Sequence, residues 1–183
     1  MTPLKIKVRD RVYLSCVRLT DKPALLEHFR TRDVYNTTLT IPYPYLESHA
    51  DLWLQKTIEH SKRQDKEVSF AIRDVDDKLI GGISADSLEL GTTHRAEIGY
   101  WLARPFWGQG IMTDAVRVYV GYAFGELGLL RLTAHTFEFN VGSSRVLEKN
   151  GFRLEGRLRK HYCKDGEFLD ARLYGLLKDD VPG

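Results

Sequence analysis

The stretch Ile98-Gly99-Tyr100-Trp101-Leu102, followed by Arg104-Pro105-Phe106-Trp107-Gly108-Gln109-Gly110-Ile111, constrains this chain more than any other. Its first five residues form an apolar run that reads as a buried strand. Beyond the two glycines, an amphipathic helix pattern continues to about Phe124. Strand, glycine turn and helix start, in that order, make an anion site. The first-turn N–H groups of a helix lack intrahelical partners, and the helix dipole favours negative charge there. Gly108 and Gly110 let a phosphate approach the backbone with no Cβ in the way. An ordinary strand-to-helix turn would use the same two glycines, so the neighbouring residues decide. No Gly-Lys-Ser/Thr follows, which argues against nucleotide hydrolysis. The third glycine and the downstream acidic residue of a dinucleotide fold are missing too. What remains is a pyrophosphate held largely by backbone donors from about Trp107 to Met112.

Around this turn the chain alternates between the two periodicities. Residues 11–18 read as a strand, and Thr20 offers an N-cap to a helix over 22–31, with Pro23 in its first turn. Residues 36–46 carry two prolines and cannot be regular, yet they are apolar and aromatic and are expected to pack over something. Ser48, with Asp51 three residues later, opens a second helix whose Ala50, Trp53, Leu54, Thr57 and Ile58 share one face. Strands at 67–73 and 79–88 flank a turn at 74–78, and 95–102 is a third strand. After the glycine turn and its helix come a strand at 131–137 and a short helix at 142–149, ended by Gly151 at the C′ position. Strands at 152–159 and 168–177, joined by Lys164-Asp165-Gly166-Glu167, finish the chain. The expected fold is mixed α/β (α+β), a central sheet of about seven strands with helices on both faces. It is mostly antiparallel at first, with crossover helices later. No repeat, low-complexity tract or linker interrupts it, so residues 1–183 are expected to form one domain.

Composition excludes several function classes. With 43% hydrophobic and 28% charged residues this is an ordinary globular chain. A net charge of +2, without a dominant lysine/arginine block, argues against a nucleic-acid partner. The locally basic segment 153–164 reads as a solvated face, or as a patch beside an anionic cofactor. Cys16 and Cys163 are far apart and make no disulfide framework, which fits a reducing compartment. The start Met1-Thr2-Pro3-Leu4-Lys5 has no apolar signal core, and no run reaches the ~18 apolar residues of a membrane span. A cytoplasmic protein with no membrane partner is expected.

Two further groups carry chemistry. Asn140 lies just past a strand end and Ser143 starts the next helix, where each serves either as a helix cap or as a ligand contact. Glu97 stands inside the apolar strand Ala96-Glu97-Ile98-Gly99. A half-buried carboxylate there would have a raised pKa suited to general-base work, whereas one on a solvent face would not. His94, His135 and His161 are scattered, and none is assigned to catalysis. No cluster has metal-ligand spacing, so no metal is expected.

Several strings, taken together and in order, resemble the GNAT N-acetyltransferase superfamily, and most of all its RimJ/RimL-type, ribosomal-protein branch. They are Ala96-Glu97-Ile98-Gly99-Tyr100-Trp101-Leu102, Trp107-Gly108-Gln109-Gly110-Ile111, Asn140-x-x-Ser143, Lys149-Asn150-Gly151-Phe152-x-x-Glu155-Gly156 and Asp170-x-x-Leu173-Tyr174. Arg18-Leu19-Thr20 and the Ile41-Pro42-Tyr43-Pro44-Tyr45 loop are similar to that branch as well.

The resemblance implies acetyl-CoA as co-substrate and direct transfer of its acetyl group to a primary amine, with a protein N-terminus as the expected acceptor. A small-molecule amine (polyamine, amino acid or antibiotic) is the nearest rival, and a non-catalytic acyl-CoA-binding module the rival of another class. Carried over by position, the strand at Leu102 and Ala103 would pair with pantetheine. Trp107, Gly108, Gln109, Gly110, Ile111, Met112 and Thr113 would line the phosphates. Asn140 and Ser143 would hold pantetheine near the thioester. The proline-fixed, apolar 36–46 loop is itself expected to wall the acceptor cleft with Tyr43 and Tyr45, against the end of the 95–102 strand. Dimers are common in the family, so a homodimer stays open. Three positions depart from the family pattern. Pro105 replaces the usual glutamine or arginine three residues before the first motif glycine, with Arg104 one place earlier. Leu147 stands where many members have a tyrosine acid, and the resemblance to the RimL-like branch, whose Asn-x-x-Ser serine is the acid, points to Ser143. Tyr162 stands where the branch has a glutamate base, so Glu97, acting through a water, is the expected base.

Overall fold

The computed structural model describes residues 4–85 and 88–181. The first three residues of the N-terminal segment, and residues 86 and 87 of the expected 79–88 strand, lie outside that range. Strands β1 (Lys5–Arg9), β2 (Val12–Cys16), β3 (Ser69–Arg73) and β4 (Leu79–Ser84) pair antiparallel in that order. The next two are short, β5 (Arg95–Glu97) and β6 (Gly99–Leu102), and β6 adds antiparallel to β4 as the edge of this five-stranded sheet. A second sheet runs β5-β7-β9-β8, with β7 (Arg131–Phe137), β8 (Arg153–Lys164) and β9 (Glu167–Leu177). Only its β5–β7 pair is parallel.

Among the described residues five α-helices cover the two faces: α1 (Lys22–His28), α2 (Arg32–Thr37), α3 (Glu47–Gln64), α4 (Ile111–Gly125) and α5 (Val141–Lys149). One core joins α4 and α5 to both sheets through Leu14, Phe70, Ile72, Ile98, Ala115, Tyr119, Leu132 and Leu147. A second core, with Leu25, Phe29, Ala50, Leu54 and Ala71, lies under α1 and α3. This is the mixed fold with helices on both faces that the periodicities imply.

The strand count differs from about seven for two physical reasons. β1 alternates half-covered and exposed residues, with Lys5, Lys7 and Arg9 outward, so its edge-strand pattern is too polar to read. The 95–102 run divides at Ile98, whose N–H goes to Thr133 O at 2.8 Å while the residues beyond it turn to β4.

Local corrections follow the same logic. The 22–31 helix stops at His28, and Thr31, expected inside it, precedes α2 with extended backbone. Asp21 rather than Thr20 organises the entry to α1. It accepts the Arg18 N–H at 2.8 Å and two hydrogen bonds from the buried Arg73 guanidinium. β8 runs past residue 159 to Lys164 through a bulge, where Asp170 accepts the Lys160 N–H at 2.8 Å. Among the described residues no helix is long and apolar enough to cross a membrane, and no three His, Cys, Asp or Glu side chains converge as a metal site would require.

Candidate active site

The division at Ile98 opens a gap between the sheets. Ala103 N–H bonds Ile80 O at 2.9 Å, so Leu102 and Gly81 form a non-hydrogen-bonded pair. The N–H and C=O of Leu102 therefore point away from β4, into the gap, as do those of Tyr100 two residues earlier. On the other side, β7 loses its β5 neighbour after Thr133 and keeps only β9. Two strand edges thus face each other with no strand between them. Each edge has backbone groups to satisfy, so an extended ligand with its own amides fits the gap.

At one end of the gap lies the glycine turn. Gly108 and Gly110 have φ of +74° and +77°, which only glycine adopts without strain, and Gly110 precedes α4. The first-turn N–H groups of Ile111, Met112 and Thr113 have no intrahelical acceptors. Trp107 and Ala103 serve the frame instead. The Trp107 N–H goes to Arg104 O at 3.2 Å, its indole donates to Leu102 O at 2.6 Å, and the Ala103 N–H is taken by Ile80. Both backbone donors are thus used within the chain. Gln109 likewise turns inward through Nε2 to Pro105 O at 2.9 Å. Sequence reasoning missed Arg9, whose Nη1 reaches across from β1 to Gln109 O at 2.9 Å and to Asp114 at 3.5 Å. It places a cation at a turn whose own motif has Pro105.

At the far end of the gap α5 begins. Asn140 is its N-cap, with Oδ1 accepting Ser143 N–H at 3.1 Å and Nδ2 donating to Thr37 O at 3.4 Å. Both ends of its amide make contacts within the chain, and Oδ1 fills the capping role. Ser143 Oγ lies 2.8 Å from the Tyr100 hydroxyl. Burial pushes the Tyr100 phenol well above its usual range, and the Ser143 hydrogen bond partly offsets this. Tyr100 stands on the gap-lining strand and was not singled out from sequence, where it reads as one more aromatic in an apolar run. Leu147, at the position of the missing tyrosine acid, is fully buried in the core.

Glu97 has the solvent-facing geometry. Its side chain is 54% exposed, so the burial on which its expected role rested is absent, and Oε1 is 2.8 Å from His135 Nδ1. His135 stacks on His161 at 5.3 Å, and Tyr162 meets both rings edge-on. Two of the histidines scattered in sequence, His135 and His161, are thus gathered on one sheet face. The Tyr162 phenol is raised first by burial and then by the Glu97 charge, which makes it a proton holder rather than a base.

The same face is walled by α2 and the loop after it. Tyr35 donates to Asp165 in the β8–β9 turn, and Lys164 donates to the carbonyls of Tyr35 and Thr38. Tyr43 is exposed, 5.5 Å from the Tyr35 ring and under the Arg32 guanidinium. Tyr45 is different. Its ring packs edge-on against Phe29 at 4.7 Å, it joins the second core, and burial raises its phenol to about 12. It supports the loop from beneath, half-buried against Phe29.

A split sheet with a glycine-led helix at one end and a phenol–hydroxyl pair at the other suits an extended ligand with an anionic end, and comparison with known proteins decides which. Residues 11–153 match the family described as acetyltransferase (GNAT) domain. The chain belongs to the GNAT acetyltransferase family. As a GNAT enzyme it is an acetyl-CoA-dependent N-acetyltransferase. It is 41% identical over 129 residues to the "Probable N-acetyltransferase YjcK" of Bacillus subtilis, covering 69% of this chain and 71% of that one. It is 35% identical over 105 residues to the ribosomal-protein-serine acetyltransferase of Escherichia coli, covering 57% and 58% of the two chains. Its GNAT fold superposes on that of RimL, the ribosomal L7/L12 alpha-N-protein acetyltransferase solved with coenzyme A. The TM-score is 0.85 at 21% identity, over 97% of this chain and all of that one.

Proposed function

We propose that this enzyme acetylates the α-amine at a protein N-terminus, by direct attack on acetyl-CoA with no covalent enzyme intermediate. The observation that carries this reading is the pair of unfinished edges, β6 and distal β7, which flank a gap open to the Glu97–His135 face. With the Leu102 carbonyl taken by the Trp107 indole, the Leu102 N–H faces the thioester end of pantetheine and meets the oxygen that gains charge as the thioester is attacked. The pyrophosphate rests on Gly108, Gln109, Gly110, Ile111, Met112 and Thr113. Ala103, Trp107 and Asn140 hold that frame in shape. Ser143, hydrogen-bonded to Tyr100, supplies the proton that the leaving thiolate needs, since a free thiol has a pKa near 8.5.

The acceptor class follows from the strength of the available base and from the relatives. A terminal α-amine has a pKa near 8 and needs little help to lose its proton, whereas a lysine amine near 10.4 needs about two units more. No strong base stands on the acceptor face among the described residues. Relatives named as ribosomal-protein acetyltransferases support a protein terminus, and the open, aromatic-rimmed face suits a chain end. A thiol-release assay with acetyl-CoA across Ser- and Ala-initiated peptides and small amines tests this. Turnover of the peptides is the expected result. Turnover of small amines alone would move the enzyme to that class, and binding of acetyl-CoA without turnover of any amine would make it a carrier module.

A further inference from the structure

The geometry points to His135 as the group that takes the acceptor's proton, with Glu97 as the residue that positions it. This rests on the acetyl-transfer reading above. An ionised carboxylate only accepts hydrogen bonds, so the 2.8 Å contact between Glu97 Oε1 and His135 Nδ1 requires a proton on Nδ1. The neutral ring then carries its lone pair on Nε2, and no described residue donates to that atom. An oriented imidazole with a free lone pair is what a proton acceptor near neutral pH requires.

Location makes the pair useful. Glu97 ends β5, one residue before the strand divides, and His135 lies on β7 just past Thr133, where β7 loses its β5 neighbour. Both side chains face away from the core that holds Ala96, Ile98, Leu132 and Ala134, and so toward the side walled by α2 and the loop after it. The Tyr100–Ser143 pair lies on the opposite side, with α5. Proton removal and proton supply are therefore on opposite sides of the gap. The ionisable groups facing His135 are Glu97 from β5 and His161 and Tyr162 from β8, with Lys164 beyond Phe137.

The step balances as follows. The ammonium form of the acceptor gives one proton to His135 Nε2, which later returns it to solvent. The freed nitrogen lone pair forms the N–C bond to the thioester carbon, and the C–S bond breaks. The second proton on nitrogen ends on the departing sulfur through the Ser143–Tyr100 side. The net products are the acetamide, the free thiol of CoA and one released proton.

The test uses the full chain with acetyl-CoA and the peptide of the panel that turns over. In His135→Gln, kcat/KM at pH 7 should fall about 10²-fold, with the deficit shrinking as pH rises toward 9.5 and free amine accumulates. Acetyl-CoA affinity by calorimetry and the melting temperature should hold. In His135→Ala, added imidazole should restore turnover saturably, which a purely structural histidine would not allow. Nitrogen-15 NMR of the resting protein should show His135 protonated on Nδ1, and Glu97→Gln should weaken that preference. Wild-type turnover with an unimpaired His135→Gln, or a His135 protonated on Nε2 alone, would overturn the assignment and leave the acetyltransferase reading standing. A wild-type chain that turns over no amine would remove both.

Discussion

A Cβ built on Gly81 would stand 2.7 Å from the carbonyl oxygen of Trp101, closer than a Cβ comes to a backbone oxygen. Gly81 pairs with Leu102, so the strand that presents the donor-facing backbone is held against β4 only because that position has no side chain. Gly81→Ala must push β6 outward. We expect a loss of about 1–3 kcal/mol of stability together with a several-fold weaker acetyl-CoA affinity, read by chemical denaturation and calorimetry. An unchanged affinity would mean that β6 tolerates displacement and does not pair with the donor.

Gly110 tests the phosphate site. Only Arg9 Nη1, at 3.8 Å, lies near its Cβ position, so space is not the obstacle; its φ of +77° is. Gly110→Val should cost about 1–2 kcal/mol of backbone strain and place a side chain at the proposed pyrophosphate position. Acetyl-CoA affinity is expected to drop at least tenfold in a protein whose circular dichroism still shows the native fold. Wild-type affinity would move the pyrophosphate elsewhere.

Tyr100→Phe and Ser143→Ala each remove one hydroxyl of a pair 2.8 Å apart. Each should lower kcat several-fold, and the double variant should lose less than the product of the two, because the hydroxyls act as one unit. Multiplicative losses would show that the two work separately.

The two tyrosines of the proline loop should respond differently. Tyr43→Ala should raise the acceptor KM with little change in melting, since its ring is exposed. Tyr45→Ala should destabilise by about half of the ~3–5 kcal/mol of a fully buried aromatic, because its ring packs on Phe29. Steady-state kinetics and thermal melts separate the two outcomes.

Acid sensitivity should trace to Arg131 and Glu155. The Arg131 hydrogen bond and charge hold the Glu155 carboxyl below its ordinary value of 4.5. The folded chain therefore binds this proton less readily than the unfolded one. The stabilisation is fully present above about pH 4.5 and is lost as pH falls through the lowered folded value. Arg131→Met should flatten the decline of the urea midpoint in that window, and an unaltered slope would assign the acid limb to other carboxylates.

The sequence patterns disclosed most of the scaffold and part of the site. The glycine turn, α4, β7 and α5 were legible because glycine at positive φ, helical periodicity and an N-cap leave local marks. The division of 95–102 was not, because an apolar run does not say which neighbour each half pairs with; only Thr133 and Gly81, distant in the chain, decide that. His135 and Arg9 escaped for the same reason. His135 acts across a strand-to-strand contact and Arg9 across a strand-to-turn contact, joining segments about 40 and 100 residues apart, and neither contact leaves a local pattern. Glu97 was found by type and place, but its exposure depends on tertiary packing that alternation alone does not reveal.

The fastening of Lys164 and Asp165 to Tyr35 and Thr38 has a consequence for how such enzymes diversify. The tip of the last hairpin and the second helix behave as a single jaw made of two segments from opposite ends of the chain. Changing the acceptor by grafting either segment alone from a relative would break the lysine and aspartate links that hold it shut. New specificity in this lineage is therefore expected to come through paired replacements, one at each end of the gene.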